Sequence, residues 1–157
     1  MNTITYHKAG LNDIKTLIDY RIQFAIEYAG EQPQDAVDAL KEQMEAYFLK
    51  AIPAESCISF IARSGKEVAG IGAVQVREQP GNFKNPSGKW GYIMSMYTVP
   101  AFRRKGVCTG LLDALEKEAR NNGITAFELH ATPKGEMVYT QNGFELYNEP
   151  TYRKYIR

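Results

Sequence analysis

The passage from residue 90 to residue 131 constrains the fold of this chain most. Trp90–Val99 (WGYIMSMYTV) is nearly free of charged and strongly polar side chains, which suits a strand covered on both faces. Pro100-Ala101-Phe102 and a Gly- and Arg-rich turn follow. A helix then places Val107, Leu111, Leu112, Leu115 and Ala119 on one face. Asn122-Gly123 ends that helix, and Ile124–Ala131 reads as a strand again. A strand, a helix and a second strand in so short a span form a parallel crossover, with the helix packed on one face of the pair.

The remaining elements fall around that unit. Thr3–His7 reads as a short strand. Leu11, Ile14, Leu17, Ile18, Ile22, Ala25 and Ile26 follow a helical period, with Asn12 or Asp13 as cap and Gly30 and Pro33 as breakers. A second amphipathic helix runs from Gln34 through Val37, Leu40, Met44, Tyr47 and Phe48 and stops before Pro53. Cys57–Arg63 and Val68–Val76 form a hairpin around Ser64-Gly65-Lys66-Glu67, and Gln79–Lys89 (QPGNFKNPSGK) is a loop. Lys134–Gln141 is a short helix stopped by Asn142-Gly143, and Phe144–Ile156 reads as a terminal hairpin. The order β-α-α-β-β-β-α-β-α-β-β describes an α/β sandwich around a mixed sheet, and 157 residues suit one domain spanning 1–157.

Charge and cysteine usage narrow the class. Lys and Arg total 19 against 18 Asp and Glu, a near balance that speaks against nucleic acid or an anionic membrane as the main partner. The balance hides a division: residues 1–55 carry a net −4 and the remainder a net +5, pointing to two differently charged partners. Cys57 and Cys108 are too few for a disulfide framework and have no zinc-ligand spacing, so no metal is expected. The opening MNTITYHKAG lacks the apolar centre of an export signal, and no run approaches the roughly 18 apolar residues of a membrane span. A reduced, cytoplasmic protein is the expectation.

The chemistry concentrates in Arg103-Arg104-Lys105-Gly106-Val107-Cys108-Thr109-Gly110, between the apolar strand and its helix. A helix N-terminus presents unpaired amides and the positive end of the helix dipole, which together suit a phosphate. Gly106 and Gly110 keep side chains out of its way, and three consecutive bases add charge. The plainer reading is a basic, solvated helix start with a glycine for a tight turn. Neither G-x-x-x-x-G-K-[ST] nor G-x-G-x-x-G occurs, which excludes a P-loop NTPase and a Rossmann dehydrogenase.

YIMSMYTVPAFRRKGVCTGLLDALEKEA resembles the signature of the GNAT superfamily of acetyl-CoA-dependent N-acetyltransferases, in which Arg/Gln-x-x-Gly-x-Gly/Ala follows a strand ending in a hydrophobic-x-Pro element. Val138-Tyr139-Thr140-Gln141-Asn142-Gly143-Phe144 resembles the family's Leu-Tyr-x-x-x-Gly-Phe, and the element order fits along nearly the whole chain. The resemblance implies a mixed, mostly antiparallel sheet with a central splayed parallel strand pair and helices on both faces. It implies acetyl-CoA as co-substrate, its pyrophosphate cradled by Arg103, Arg104, Lys105, Gly106, Val107, Cys108, Thr109 and Gly110. Met96, Tyr97 and Thr98 would pair their backbone with the pantetheine arm. Tyr139 falls where the family often has a tyrosine that protonates the departing thiolate, although the same position suits a core aromatic.

The chain departs from the pattern in places. Cys108 stands where the signature has Gly or Ala, and is read as a tolerated small residue. The family's pantetheine-binding Asn has no counterpart at Ala131-Thr132-Pro133-Lys134-Gly135, where Thr132 or the backbone near Gly135 would substitute. Tyr92 occupies the place of a glutamate that serves some relatives as base. Water, Glu128, His130 or a residue of the first two helices remain as alternatives. The family's acceptor cleft would here involve Tyr20, Arg21, Glu27, Tyr28, Glu31 and the loop 79–89. Glu27 and Glu31 invite a cationic amine, Arg21 a carboxylate. The expected activity is transfer of acetyl to a primary amine by direct attack in a ternary complex. The alternative is an acyl-CoA-binding sensor without turnover. Tyr147, Tyr152 and Tyr155 on the terminal hairpin either pack internally or offer an edge for a homodimer.

Overall fold

The computed structural model describes residues 2–156. Five strands stand in sequence order across one sheet: β1 (Ile4–Lys8), β2 (Cys57–Ser64), β3 (Glu67–Glu78), β4 (Lys89–Thr98) and β5 (Phe127–Glu128). The first three pairings are antiparallel and β4–β5 is parallel, as the crossover requires. Helices α1 (Ile14–Ala29) and α2 (Gln34–Ala51) cover one face, while α3 (Val107–Asn121) and α4 (Glu136–Gln141) cover the other. Alternation along β2 divides the core accordingly: Cys57 and Ile61 face α1 and α2, and Ile58, Phe60 and Ala62 face α3. The apolar stripe of α3 is sealed, with Val107, Leu111, Leu112, Leu115 and Ala119 at most 1% exposed. Burial of that stripe, at about 1.5–3 kcal/mol for each large side chain, fixes where the helix begins.

One irregularity sets up the site. Ala73 pairs with Met94 and Ile71 with Tyr97, so β4 carries one more residue than β3 between these pairs. The bulge centres on Ser95, which takes a left-handed φ of 57°. It reverses the alternation: Met94 and Tyr97 both face α1 and α2, and Ile93 and Met96 both face α3.

Three local readings are revised. The strand expected over 124–131 shrinks to Phe127–Glu128, because Ile124 is spent beneath α3 and the chain then leaves β4. The terminal hairpin expected over 144–156 carries no strand. Leu146, Tyr147, Tyr152, Tyr155 and Ile156 are 65% to 91% exposed, so they bury no face although Phe144 packs against the core, and Pro150 removes one donor that a ladder needs. Asp13 does not cap the first helix forward. Its carboxylate accepts from the Gly10 amide at 2.9 Å across a 3-10 turn, Leu11–Asp13, that precedes α1.

Candidate functional site

β4 and β5 pair only at Gly91–Phe127 and Tyr92–Glu128. β4 then continues to Thr98 with no partner on that side among the described residues, so the two strands diverge over the stretch that holds the bulge. An unpaired strand edge inside a sheet is a ready template for an extended ligand that alternates donors and acceptors. Met96, Tyr97 and Thr98 lie on it.

The edge leads directly to the start of α3. Phe102 closes a 3-10 turn on Val99, and Gly106 caps the helix in the left-handed region at φ 79°. A Cβ on Gly106 would meet nothing within 4 Å, so the space before it is open. Arg104 is also left-handed, with φ 61°. Among the described residues, the amides of Arg104, Lys105, Gly106, Val107, Cys108 and Thr109 donate to no other group outside regular helix bonding. Consecutive left- and right-handed residues turn adjacent amides toward one side, a concavity suited to an anion. The helix dipole adds to it.

The three bases divide their work. Arg103 turns back from the loop. Its Nη2 donates to Glu27 Oε1 at 2.6 Å and its Nε donates to the Thr98 carbonyl at 3.0 Å. The Tyr97 hydroxyl donates to the other Glu27 oxygen at 2.9 Å. Hydrogen bonding from Arg103 holds the Glu27 carboxyl below its ordinary value, and burial beside that carboxylate pushes the Tyr97 phenol up. Glu27 is therefore engaged, and a Glu27–Glu31 cation seat is not formed. Arg104 and Lys105 are exposed and form no ion pair among the described residues, so their charge stands free beside the loop amides.

Gly110 answers to a different neighbour from the one expected. A Cβ there would lie 2.0 Å from the Tyr6 hydroxyl oxygen, and the Gly110 amide already donates to Gly106. Its small size seats Tyr6 of β1 against α3 and clears no room for phosphate. Cys108 is half-buried, and burial pushes its thiol up to about 11, the behaviour of a small packing residue. Thr109 Oγ1 accepts from Asn142 Nδ2 at 3.3 Å, and Asn142 also holds the Val138 carbonyl at 2.7 Å, which ties the end of α4 to the start of α3.

Through that tie Tyr139 reaches the same region. Its ring stands edge-on to Phe144 at 6.0 Å, and its hydroxyl has no hydrogen-bond partner among the described residues. Burial pushes the phenol up to about 12, with Cys108 close enough to add to the shift. The hydroxyl is a donor that stays protonated across the physiological range.

On the opposite face of β4, Arg21 of α1 donates through Nη1 to the Ser95 hydroxyl at the bulge. Arg77 lies 3.8 Å from the centre of the Tyr92 ring, and His130 stacks obliquely on that ring at 5.7 Å. Glu128 pairs with Tyr92, so both carboxylate and imidazole stand where the strands part. Tyr20 is packed against the core, while Tyr28 is 77% exposed and contributes no wall. Thr132 spends its carbonyl on the Gly135 amide at 2.9 Å. The Arg103–Glu27 bridge, the Tyr6–Gly110 contact and the Asn142–Thr109 tie were not legible in the sequence, since each joins residues more than thirty positions apart. Among the described residues no cluster of metal-ligating side chains occurs, and no helix is long and apolar enough to cross a membrane.

Two parallel strands that part beside an anion-seating helix start define a wedge for a ligand with a linear amide arm and a phosphate. Residues 20–144 match the Acetyltransferase (GNAT) family, and the chain belongs to that family. Among solved structures, a predicted acetyltransferase from Clostridium acetobutylicum with acetyl-CoA is 28% identical, with 97% of this chain and 96% of that one covered and a TM-score of 0.86. A GCN5-related N-acetyltransferase from Ralstonia eutropha JMP134 shares the fold at 21% identity, 97% and 99% coverage and a TM-score of 0.83. An aminoglycoside N-acetyltransferase in complex with CoA does so at 18% identity, 98% and 96% coverage and a TM-score of 0.76. No curated protein sequence matches the chain.

Proposed function

We propose that the chain transfers the acetyl group of acetyl-CoA to a primary amine of a small molecule or peptide by direct attack in a ternary complex. The free amides of residues 104–109, in line with the unpaired edge of β4, carry this reading. They match the succession of a pyrophosphate and then a two-amide arm along CoA. Arg104 and Lys105 supply charge to the pyrophosphate, and the backbone of Met96 to Thr98 pairs with the pantetheine arm. Arg103 works indirectly, holding the end of β4 to α1 through Glu27 and Thr98.

In the transfer, the amine lone pair forms a C–N bond to the thioester carbon and the C–S bond breaks. One amine proton leaves by water or through Glu128 or His130, and the departing sulfur takes up one proton overall. The Tyr139 hydroxyl donates to that sulfur as charge develops on it. No acyl-enzyme is needed, and a Cys108 thiol raised to about 11 is poorly suited to form one. The whole chain serves as one such domain, and its two free thiols suit a reducing, cytoplasmic setting.

Thiol release from acetyl-CoA in the presence of a panel of primary amines tests the proposal. Amine-dependent release with stoichiometric N-acetylated product supports it. Tight acetyl-CoA binding with no release for any amine replaces it with the acyl-CoA sensor.

A further inference from the structure

A cavity of about 190 Å³ opens beneath α1 and α2, on the face of β4 that bears the bulge. Arg21, Gln43, Tyr47, Gln75 and Met94 line it, with Met44 and Phe48 of the core as its floor. At roughly 30 Å³ per water it holds a carboxylate and a few carbons. Every polar group on its wall is cationic or neutral, and no Asp or Glu lines it.

Arg21 is half-buried, and its one hydrogen bond among the described residues goes to the Ser95 hydroxyl. A guanidinium carries five N–H donors, so several remain. The carboxylates flanking it on α1 are engaged elsewhere: Asp19 pairs with Lys15, and Glu27 with Arg103 and Tyr97. A partly desolvated guanidinium that pairs with no carboxylate among the described residues has room for a counter-charge from outside the chain. The Tyr47 hydroxyl and Gln75 stand close to Arg21 as neutral hydrogen-bonding groups.

The cavity also lies next to the reaction path. Met94 is on its wall and Ser95 anchors Arg21, and both belong to the β4 segment past its last pairing with β5. Ser95 itself lies on that unpaired stretch, so its hydrogen bond holds the Arg21 guanidinium beside the open edge.

We propose that this cavity receives the carboxylate of the acceptor, so that the substrate is a small amino-carboxylate, an amino acid or a close analogue, with its amine turned to the open edge of β4. The inference rests on the acetyltransferase reading above and specifies its acceptor. It favours an acceptor unlike the aminoglycoside named for the enzyme that shares the fold.

The test compares amino acids with their carboxamides, which keep the amine and lose only the charge. With wild type, kcat/KM for the acid exceeds that for the amide about 10- to 100-fold, as expected for a charged hydrogen-bonded pair. Arg21→Gln lowers the acid more than the amide, so that the acid-to-amide ratio of kcat/KM falls at least about tenfold toward one. Calorimetry of N-acetylated amino acids and their carboxamides into CoA-loaded protein gives the same contrast without turnover. Equal use of acid and amide by wild type, a parallel loss of both in Arg21→Gln, or failure of every acetylated acid to bind overturns the inference. Turnover of neutral or cationic amines in preference to acids overturns it while leaving the acetyltransferase reading intact; absence of acetyl-CoA binding removes both.

Discussion

Replacing Tyr139 with Phe isolates one oxygen atom. The ring, its edge-on contact with Phe144 and its burial are retained. Because the hydroxyl has no partner among the described residues, removing it breaks no internal hydrogen bond, and stability should change by less than about 0.5 kcal/mol. The effect on chemistry is sized from acidity. A phenol pushed up to about 12 lies some 3.5 units above a free thiol near 8.5, so complete proton transfer to the sulfur would run uphill by about 5 kcal/mol. The hydroxyl therefore acts by donating a hydrogen bond to the developing thiolate, with water completing the exchange. Losing a hydrogen bond to a charged group costs about 1.5–3 kcal/mol, or roughly 10- to 150-fold in kcat. Thiol release at saturating acetyl-CoA measures it, with thermal denaturation and the acetyl-CoA KM as controls. An unchanged kcat refutes the role. So does a fall in kcat matched by a comparable drop in melting temperature, which would make Tyr139 a packing residue. The same acidity predicts that Tyr139 introduces no falling limb into the kcat profile below about pH 11.

Gly110→Ala should destabilise by about 1–3 kcal/mol, since its Cβ would lie 2.0 Å from the Tyr6 hydroxyl; thermal denaturation should show a far smaller cost in a Tyr6→Ala background. Glu27→Gln should cost about 0.5 kcal/mol or less, because the Arg103 bridge is more than 40% exposed on both sides. The folded-state carboxyl is depressed, so this contribution is full above the ordinary glutamate range and fades as pH falls through the lower folded value; urea midpoints of both proteins should converge on acidification. Cys108, raised to about 11, should react with a thiol reagent at pH 7.5 at least about 100-fold more slowly than free cysteine, with a rate still climbing at pH 10.

The sequence carried those parts of the fold whose signals are local. The apolar run before Pro100 and the stripe Val107–Ala119 identified β4 and α3, because periodicity and full burial are written in adjacent residues. Gly106 was legible as a glycine in the turn before the helix, and its left-handed φ of 79° at the cap came with the structure. Residues 145–156 misled because their apolar and aromatic content states a preference for strand without stating a partner, and among the described residues none pairs with them. The bulge at Ser95 was invisible: serine is unremarkable in a strand, and the extra residue shows only against the register of β3. Long-range polar pairs such as Arg103–Glu27 and Arg21–Ser95 likewise depend on which helix face meets which strand end.

The most direct test of the central claim is calorimetric titration of acetyl-CoA into wild type and Gly106→Glu, each checked for folding by circular dichroism. Open space before Gly106 leaves room for the new side chain, though the left-handed φ of 79° strains it by about 1–2 kcal/mol, and that side chain carries a carboxylate into the seat assigned to the pyrophosphate. Micromolar binding by wild type and its loss in a folded variant is the predicted result. Equal binding by both, or none by folded wild type, would contradict the assignment of residues 104–109 as the cofactor seat.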